Sequence, residues 1–282
     1  MGALRALLPD GRLHLQHGPI DLILDVTAPP AAVAAAHDRA AARFEGLLAE
    51  LVAELPLLRR PAAEGHSFAG SVARRMAAAV RPHRGVFVTP MAAVAGAVAD
   101  EILAASVGGD PAIRRAYVND GGDIAIHLAP GERFRIGMAD LASAALGGLA
   151  DIPAESPVRG IATSGQGGRS FSLGIAEAVT VLAADAAAAD AAATLIANAV
   201  NLDHPGIGRR PARDLDPDSD LGDRLVTVAV PPLTPAEADA ALASGASAAE
   251  RMRQAGLIAA AALRLQGRDR IVGGVSVLSA SS

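Results

Sequence analysis

Two oxygen-bearing side chains stand one helical turn apart in the second half of the chain. Asp190 and Thr194 belong to the run Asp190-Ala-Ala-Ala-Thr194, which follows a strand-like stretch, Glu177-Ala-Val-Thr-Val-Leu182. Residues four apart on a helix hold their Cβ atoms roughly 5–6 Å from each other. The pair could therefore present a carboxylate and a hydroxyl to one hard cation. The same residues could instead cap or decorate an alanine-rich helix, and the spacing alone favours that interpretation.

A glycine-rich corner carries a second group of polar side chains. Between Arg115 and Leu128, the motif Asn119-Asp-Gly-Gly-Asp123 separates two runs of apolar residues, which predicts a β-hairpin with a tight turn. Its glycines, Gly121 and Gly122, would permit close approach of the backbone to a ligand. An ordinary turn rich in Asn and Asp explains the pattern equally well.

The composition excludes several classes of function. The 282 residues are 51% hydrophobic but only 2% aromatic, and the formal charge is −5. Few stacking platforms and a negative charge argue against a dedicated nucleic-acid binder. All 25 basic residues are Arg, so no lysine can form a Schiff base, hold pyridoxal phosphate or serve a Walker-type P-loop. The absence of Cys from the sequence excludes disulfides, thiolate nucleophiles and cysteine metal sites.

Hydrophobic periodicity predicts the elements that must position these groups. Strands are predicted over residues 20–26, 134–138, 177–182, 225–230 and 271–278, and helices over residues 30–54, 91–106 and 234–263. Pro56 is expected to end the first helix, and Thr234-Pro-Ala-Glu237 has the composition of a capped helix start. Pro9 interrupts the N-terminal apolar run too early for a signal peptide. The apolar segment over residues 257–263 is too short to span a membrane. We therefore expect a soluble cytoplasmic protein that contacts no membrane.

Four motifs occur together in a particular order. They are Asn119-Asp-Gly-Gly-Asp123, Thr163-Ser-Gly165, Val179-Thr-Val181 and Ala189-Asp-Ala-Ala-Ala-Thr194. As an ordered set they resemble the ApbE-like family, which contains Mg²⁺-dependent enzymes that use FAD to attach FMN to a protein threonine. The pattern Gly168-Arg-Ser-Phe-Ser-Leu-Gly174, leading directly into the next strand, is similar to a smaller branch of that family. The resemblance covers residues 20–230 and implies one α+β domain over residues 1–282, an ApbE-like fold of antiparallel sheets with packed helices.

The resemblance also implies roles for individual residues. Asp190 and Thr194 match the positions that hold Mg²⁺ against pyrophosphate oxygens. The hairpin turn matches the family's turn against the bound dinucleotide, and the Thr-Ser-Gly motif matches the loop that faces the phosphates and the metal. The residues implied to bind the cofactor, FAD or another flavin, are Asn119, Gly121, Gly122, Asp123, Thr163, Ser164 and Gly165.

The chain departs from the family where flavin transfer takes place. The histidine-x-x-aspartate-proline loop of the transferring members has no counterpart in residues 167–176, and Ala92-Ala-Val-Ala-Gly96 lacks the family's lysine. Proton transfer would fall instead to Asp120 or to His204, which follows Asp203 in the polar loop after the metal-type helix. The same loop contains Arg209-Arg210, a pair suited to a phosphate or carboxylate, and Asp216-Pro-Asp-Ser-Asp220. A solvated surface loop would have the same composition.

Three functions follow from these residues and the resemblance. The first is a Mg²⁺-dependent enzyme acting on a flavin, a nucleotide or another phosphorylated heterocycle. The second is a non-catalytic binder of a flavin- or pterin-like molecule, and the third, least supported, is protein FMN transfer. The expected partner is a small nucleotide-like or heterocyclic ligand, and homo-oligomers are among the expectations.

Overall fold

The computed structural model describes residues 2–139, 146–168 and 170–274. The strands are β1 (Leu4–Leu7), β2 (Leu13–His17), β3 (Ile20–Thr27), β4 (Arg115–Asp120), β5 (Asp123–Leu128), β6 (Arg133–Ala139), β7 (Leu146–Pro153), β8 (Gly160–Ser164), β9 (Ala178–Ala183), β10 (Gly208–Pro211), β11 (Leu225–Ala229), β12 (Ala260–Leu265) and β13 (Arg268–Val272). The α-helices are α1 (Pro30–Leu58), α2 (Ser71–Val80), α3 (Val94–Val107), α4 (Ala186–Ala199) and α5 (Pro235–Gln254).

One antiparallel sheet organises the described residues. Its nine strands run in the order β1-β2-β3-β4-β5-β8-β9-β12-β13, while β6 pairs with β7 and β10 with β11 in two separate hairpins. The central register pairs Leu24 with Val118 and Val118 with Ala125. The α+β class with antiparallel sheets and packed helices is therefore confirmed.

Strand alternation separates the two faces of the sheet. On β4 the residues Ala116, Val118 and Asp120 are buried, and the first two belong to the core formed with helices α1 to α3. A second core lies between α4, α5 and the strands β8, β9 and β12. The opposite face of β4 and β5 packs against Phe134 and Ile136 of β6. Because side chains alternate along a strand, Asn119 points to the face opposite Asp120.

The helices α3 and α4 pack closely because small residues line their contact. A Cβ atom built on Gly96 would lie 2.2 Å from the carbonyl oxygen of Ala186, far inside an ordinary carbon–oxygen contact. Only glycine at this position lets the first turn of α3 touch the first turn of α4. The resulting close packing brings side chains of each helix to the N-terminus of the other.

Three predictions of secondary structure are corrected. Pro56 does not end α1, which continues to Leu58 with the proline in its last turn. The helix predicted as far as Leu263 ends at Gln254, because the chain turns at Gly256, whose φ is +72°, and residues 260–265 pair with β9 as a strand. Thr163 and Ser164, which the resemblance implied to lie in a loop, are instead the last residues of strand β8. Residues 275–278 of the last predicted strand lie outside the described residues.

One described segment is long and apolar enough to cross a membrane by length and composition. It comprises Pro90–Val107, with a mean hydropathy of 1.4, and 50% of it is buried inside the protein. The segment contains α3, whose residues Ala97, Val98 and Ile102 are fully buried in the core. A core helix accounts for this hydropathy.

Candidate functional site

Asp190 lies where α4 meets the N-terminus of α3. The backbone N–H of Gly96, the third residue of α3, donates to Asp190 Oδ2 at 3.1 Å. The first N–H groups of a helix have no partner within the helix and carry partial positive charge, so a carboxylate is favourable there. Asp190 therefore caps a neighbouring helix. The capping role that the spacing favoured is present, although the capped helix is α3 rather than α4.

A second aspartate makes the reciprocal contact. Asp100 of α3 accepts hydrogen bonds from the N–H groups of Ala186 at 3.1 Å and Ala187 at 3.0 Å, the first two residues of α4. Asp185, the N-cap of α4, accepts from Ala188 at 2.7 Å. Burial, opposed by these backbone hydrogen bonds, raises the pKa of Asp100 to about 6. Each helix is thus capped by a carboxylate from the other, which fixes the position of Asp190.

The β4–β5 hairpin brings two more carboxylates to Asp190. Gly121 and Gly122 form its two-residue turn with φ values of +65° and +112°, the left-handed conformations that such turns require. The register pairs Asp120 directly with Asp123. Both lie close enough to Asp190 that their charges act on it, with the larger effect from Asp123. The predicted hairpin is therefore confirmed, and the structure places its two aspartates near Asp190.

The electrostatics of this corner oppose a third negative charge. Burial of the carboxyl group, followed by the charges of Asp123 and Asp120, raises the pKa of Asp190 well above its ordinary value, while the N–H groups of Gly96 and Ala95 act in the opposite direction. Asp190 as a whole residue remains partly exposed. A cation beside Asp190 would relieve the repulsion.

The oxygen atoms around Asp190 suit a hard cation with few protein ligands. Thr194 lies one turn further along α4 and is partly exposed, and no group in the described part of the chain hydrogen-bonds to its hydroxyl. Across the described residues, no three His, Cys, Asp or Glu side chains stand close enough together to hold a metal ion. Mg²⁺ commonly keeps several waters and takes only one or two carboxylates together with substrate phosphates. The residues present fit that arrangement.

The Thr-Ser-Gly motif lies at the end of β8 next to the hairpin. Strands β5 and β8 pair only at Ile124↔Ile161 and Ala125↔Gly160. Beyond that point, Asp123 Oδ1 accepts the N–H of Thr163 at 3.2 Å and so replaces a strand carbonyl. The Thr163 hydroxyl lies 2.9 Å from that of Thr180, Ser164 is half-buried, and Gly165 is buried directly after the strand. The structure thus joins this motif to the hairpin through Asp123.

His204 lies at the opposite end of α4 from Asp190. The helix between Asp190 and Ala199 is about 14 Å long at about 1.5 Å per residue. His204 Nδ1 accepts the N–H of Gly206 at 3.0 Å, and its Nε2 lies 3.7 Å from Glu237 Oε1 of α5. The structure therefore does not bring His204 together with the carboxylates, and its catalytic role stays a prediction. Of the two groups predicted to move a proton, Asp120 is the one beside Asp190.

The arginine and aspartate motifs of the same loop make structural contacts. Arg209 donates to the carbonyl of Leu173 at 2.9 Å, to Thr227 Oγ1 at 3.1 Å and to Asn201 Oδ1 at 2.6 Å. Asp220 accepts a hydrogen bond from the hydroxyl of the buried Thr89. These contacts hold the loop to its neighbours.

Sequence reasoning missed Gly96 and Asp100. Gly96 was noted only as part of a motif without its lysine, and Asp100 lies inside a predicted helix. The signal that could have found them is the pair of helices with small residues near both starts and an aspartate within two turns of each start, Asp100 and Asp190. Such aspartates can cap a partner helix as well as their own.

Comparisons with known proteins relate this chain to curated sequences, to solved structures and to a family model. UPF0280 proteins are 40% identical over 49% of this chain in Methanosphaerula palustris, 41% over 43% in Methanoculleus marisnigri and 37% over 43% in Methanothermobacter thermautotrophicus. The matches cover 54%, 49% and 46% of those proteins, so the chain spans about half the length of the curated relatives it matches.

Two solved structures are also similar. The apo form of the flavinyl transferase ApbE of Pseudomonas stutzeri is 12% identical, with a TM-score of 0.43, covering 96% of this chain and 93% of that one. The ApbE protein of Thermotoga maritima is 16% identical, with a TM-score of 0.37, covering 71% and 87%. Neither similarity bears on the chemistry of the site. The family model described as AbpE bacteria matches residues 5–271. Since this match covers nearly the whole chain, the chain belongs to that family, in agreement with the ApbE-like resemblance of its motifs.

Proposed function

We propose that this protein is a Mg²⁺-dependent enzyme that acts on a phosphorylated heterocycle, either a nucleotide or a flavin. The observation that carries the proposal is the oxygen-lined corner around Asp190. One oxygen of the Asp190 carboxylate accepts from Gly96, while the Thr194 hydroxyl stands one turn away. Asp190 and Thr194 would hold the metal, which would neutralise phosphate oxygens and polarise the bond to be broken.

The neighbouring backbone could position the ligand. The turn at Gly121 and Gly122 has no Cβ atoms, so a planar ring or a phosphate can approach its peptide groups closely. The side-chain oxygen Oδ1 of Asn119 accepts a hydrogen bond from the backbone N–H of Gly122 at 2.8 Å, within the turn. A turn held in this way is rigid before any ligand binds. Asp120, buried at 4% exposure beside Asp190, is the group proposed to accept or hold a proton.

Family membership, together with the resemblance of the four motifs to ApbE-like enzymes that use FAD, supports a flavin or a nucleotide as the ligand class. Transfer of FMN to a protein threonine is less well supported, because residues 167–176 contain no histidine. Mass spectrometry of a target peptide incubated with FAD, Mg²⁺ and the protein tests it directly. A peptide that gains the mass of FMN would establish transfer.

Metal binding is the first test of the proposal. Mn²⁺ serves as a paramagnetic probe, followed by Mg²⁺ in a calorimetric titration. Loss of a supporting contact to a metal ligand costs about 10–100-fold in affinity, so we expect Asp190→Asn to lose more than about 100-fold and Thr194→Val about 10-fold. Asp203→Asn removes the same charge from an exposed site beyond the end of α4 and should leave the affinity within about twofold.

The outcome separates an enzyme from a carrier. Small molecules released from the purified protein are identified by mass spectrometry, and turnover of FAD is measured with Mg²⁺. An enzyme loses turnover in Asp190→Asn, whereas a non-catalytic binder holds its ligand without turnover in any variant. If Asp190→Asn binds Mn²⁺ as tightly as the unmodified protein, the metal assignment is wrong.

A further inference from the structure

A strongly basic stretch contrasts with the acidic balance of the chain. Residues 59–84 contain six of the 25 arginines and a single acidic residue, Glu64, whereas the chain as a whole carries a formal charge of −5. Such a local excess of one sign attracts ligands of the opposite sign. What matters is whether these arginines are already neutralised and whether they converge on one place.

Three cationic or titratable side chains of this stretch converge on one shallow pocket. Arg60, His66 and Arg84 line it together with an apolar floor that includes Phe68, Ala77, Val80 and Pro90. The chain reaches this arrangement through a short helical turn, Ala62–Glu64, and a reversal at Gly65, whose φ is +72°. Helix α2 then ends at Val80, and the following turn, Arg81–His83, places Arg84 at the rim.

The charges at the pocket are only partly compensated. Glu64 Oε2 lies 2.9 Å from His66 Nε2 and 3.7 Å from Arg60 Nη1, so one carboxylate serves two partners. Arg84 forms no hydrogen bond or ion pair with any residue that the structure describes. Two guanidinium groups therefore face one carboxylate. The pocket keeps a net positive charge even when His66 is neutral.

Other arginines of the same stretch are engaged elsewhere. Arg75 Nη2 lies 3.5 Å from Glu101 Oε2, Arg59 Nη1 lies 3.8 Å from Asp218 Oδ1, and Arg74 donates to the carbonyl of Ala69. These partners account for their positions without a ligand. The uncompensated charge is concentrated at the pocket and at the neighbouring Arg81.

We propose that this pocket, lined by Arg60, His66 and Arg84, binds a phosphoryl group, the doubly charged end of a phosphate monoester. The planar fork of a guanidinium matches two phosphate oxygens, and two such groups match two negative charges. The pocket is shallow and small, so the phosphoryl group would bind at its rim beside the guanidinium groups, while the rest of the ligand stays outside. The site contains none of the residues around Asp190 and does not depend on the proposed metal.

The helix starts near Asp190 provide a reason for a separate phosphate site. Helix N-termini commonly bind phosphate, but Asp190 already takes the N–H of Gly96 at the start of α3, and Asp100 takes those of Ala186 and Ala187 at the start of α4. A phosphoryl group that is not held through the proposed metal must therefore bind to cationic groups elsewhere. The arginine pocket supplies them, and Pro90 connects its floor to the turn Pro90–Ala93 that leads into α3.

The test is a titration of the full chain with inorganic phosphate and, separately, with FMN at constant ionic strength in the presence of EDTA. We expect saturable binding that Arg84→Gln weakens at least about tenfold and Arg60→Gln by several fold, since each variant removes a charge-assisted hydrogen bond to the phosphoryl oxygens. The matched control is Arg74→Gln, which removes the same charge from the same basic stretch, residues 59–84, and should change the affinity less than about twofold. Thermal melting checks that the exposed Arg84→Gln variant folds.

Several outcomes would decide the proposal. Tighter binding of FMN than of phosphate, with the same loss in Arg84→Gln, supports the site and identifies a ligand-borne phosphate. Equal affinities support it with free phosphate as the occupant. No saturable binding of either probe, or equal losses in Arg74→Gln and Arg84→Gln, would overturn it. EDTA removes any bound metal, and Asp190→Asn should not alter phosphate or FMN binding at the arginine pocket. A failure of this proposal is therefore distinguishable from a failure of the proposed metal site.

Discussion

Replacing Gly96 by alanine tests whether the contact between α3 and α4 holds the candidate site together. The added Cβ would lie 2.2 Å from the carbonyl oxygen of Ala186 and 2.8 Å from the N atom of Ala187. Both of these atoms belong to the backbone and cannot rotate away. Ordinary contacts between such atoms exceed about 3.2 Å, so the two helices would have to separate by about 1 Å.

A separation of that size removes three hydrogen bonds across the contact. The bonds from Gly96 to Asp190 and from Ala186 and Ala187 to Asp100 span 3.0–3.1 Å, and an increase of about 1 Å takes them beyond hydrogen-bonding distance. Overpacking alone costs about 1–3 kcal/mol, and each lost hydrogen bond to a charged group costs about 1.5–3 kcal/mol. The higher helix propensity of alanine offsets about 1 kcal/mol of this loss. With partial relaxation, we expect the free energy of unfolding to fall by roughly 2–5 kcal/mol.

Urea denaturation measures this change, and a second glycine supplies the control. Gly46 lies on the exposed side of α1, where an added Cβ would meet only Glu50 Oε1 at 3.6 Å. Gly46→Ala should therefore leave stability unchanged or raise it by up to about 1 kcal/mol. Gly96→Ala should also weaken Mn²⁺ binding, because Asp190 loses its fixed position. A Gly96→Ala protein that unfolds within about 0.5 kcal/mol of the unmodified chain would refute the close-contact argument.

Three further changes test other parts of the structure. Because the pKa of Asp100 in the folded state, about 6, lies above its usual 3.8, its contribution to stability is fully present below pH 3.8 and is lost as the pH rises through 6. Denaturation at several pH values should show a loss of up to about 3 kcal/mol that is missing from Asp100→Asn, and identical pH profiles would contradict this. Thr234→Ala removes the N-cap of α5, which accepts from Glu237 at 3.3 Å, and should lower the free energy of unfolding by about 1 kcal/mol; Ser244→Ala, exposed on the same helix, is its control. Arg209→Met should cost about 1–3 kcal/mol in denaturation without changing Mn²⁺ affinity, and a loss of Mn²⁺ affinity at unchanged stability would instead indicate a role in the site.

Local patterns were sufficient for the parts of the protein whose structure is set by neighbours in the chain. The hairpin followed from two glycines between alternating strands, since only a few turns join strands over two residues. The start of α5 followed from Thr234 and Glu237, which cap the helix within one turn. The pairing of Asp190 with Thr194 on one face followed from helical spacing. The family followed from four motifs in order, which the match over residues 5–271 confirms.

Only the tertiary structure decided what surrounds these groups. The strand β12 was predicted as helix because its apolar run, Ala260–Leu265, has no period that separates a buried strand from a buried helix, and pairing with β9 selected the strand. Asp100 lies 86 residues from the N–H group of Ala186 that it caps, and no local pattern reports so distant a partner. The same holds for Asp123 and Asp190, whose repulsion arises only when the sheet and α4 pack together. The sequence determined which side chains could do chemistry, and long-range packing decided which of them meet.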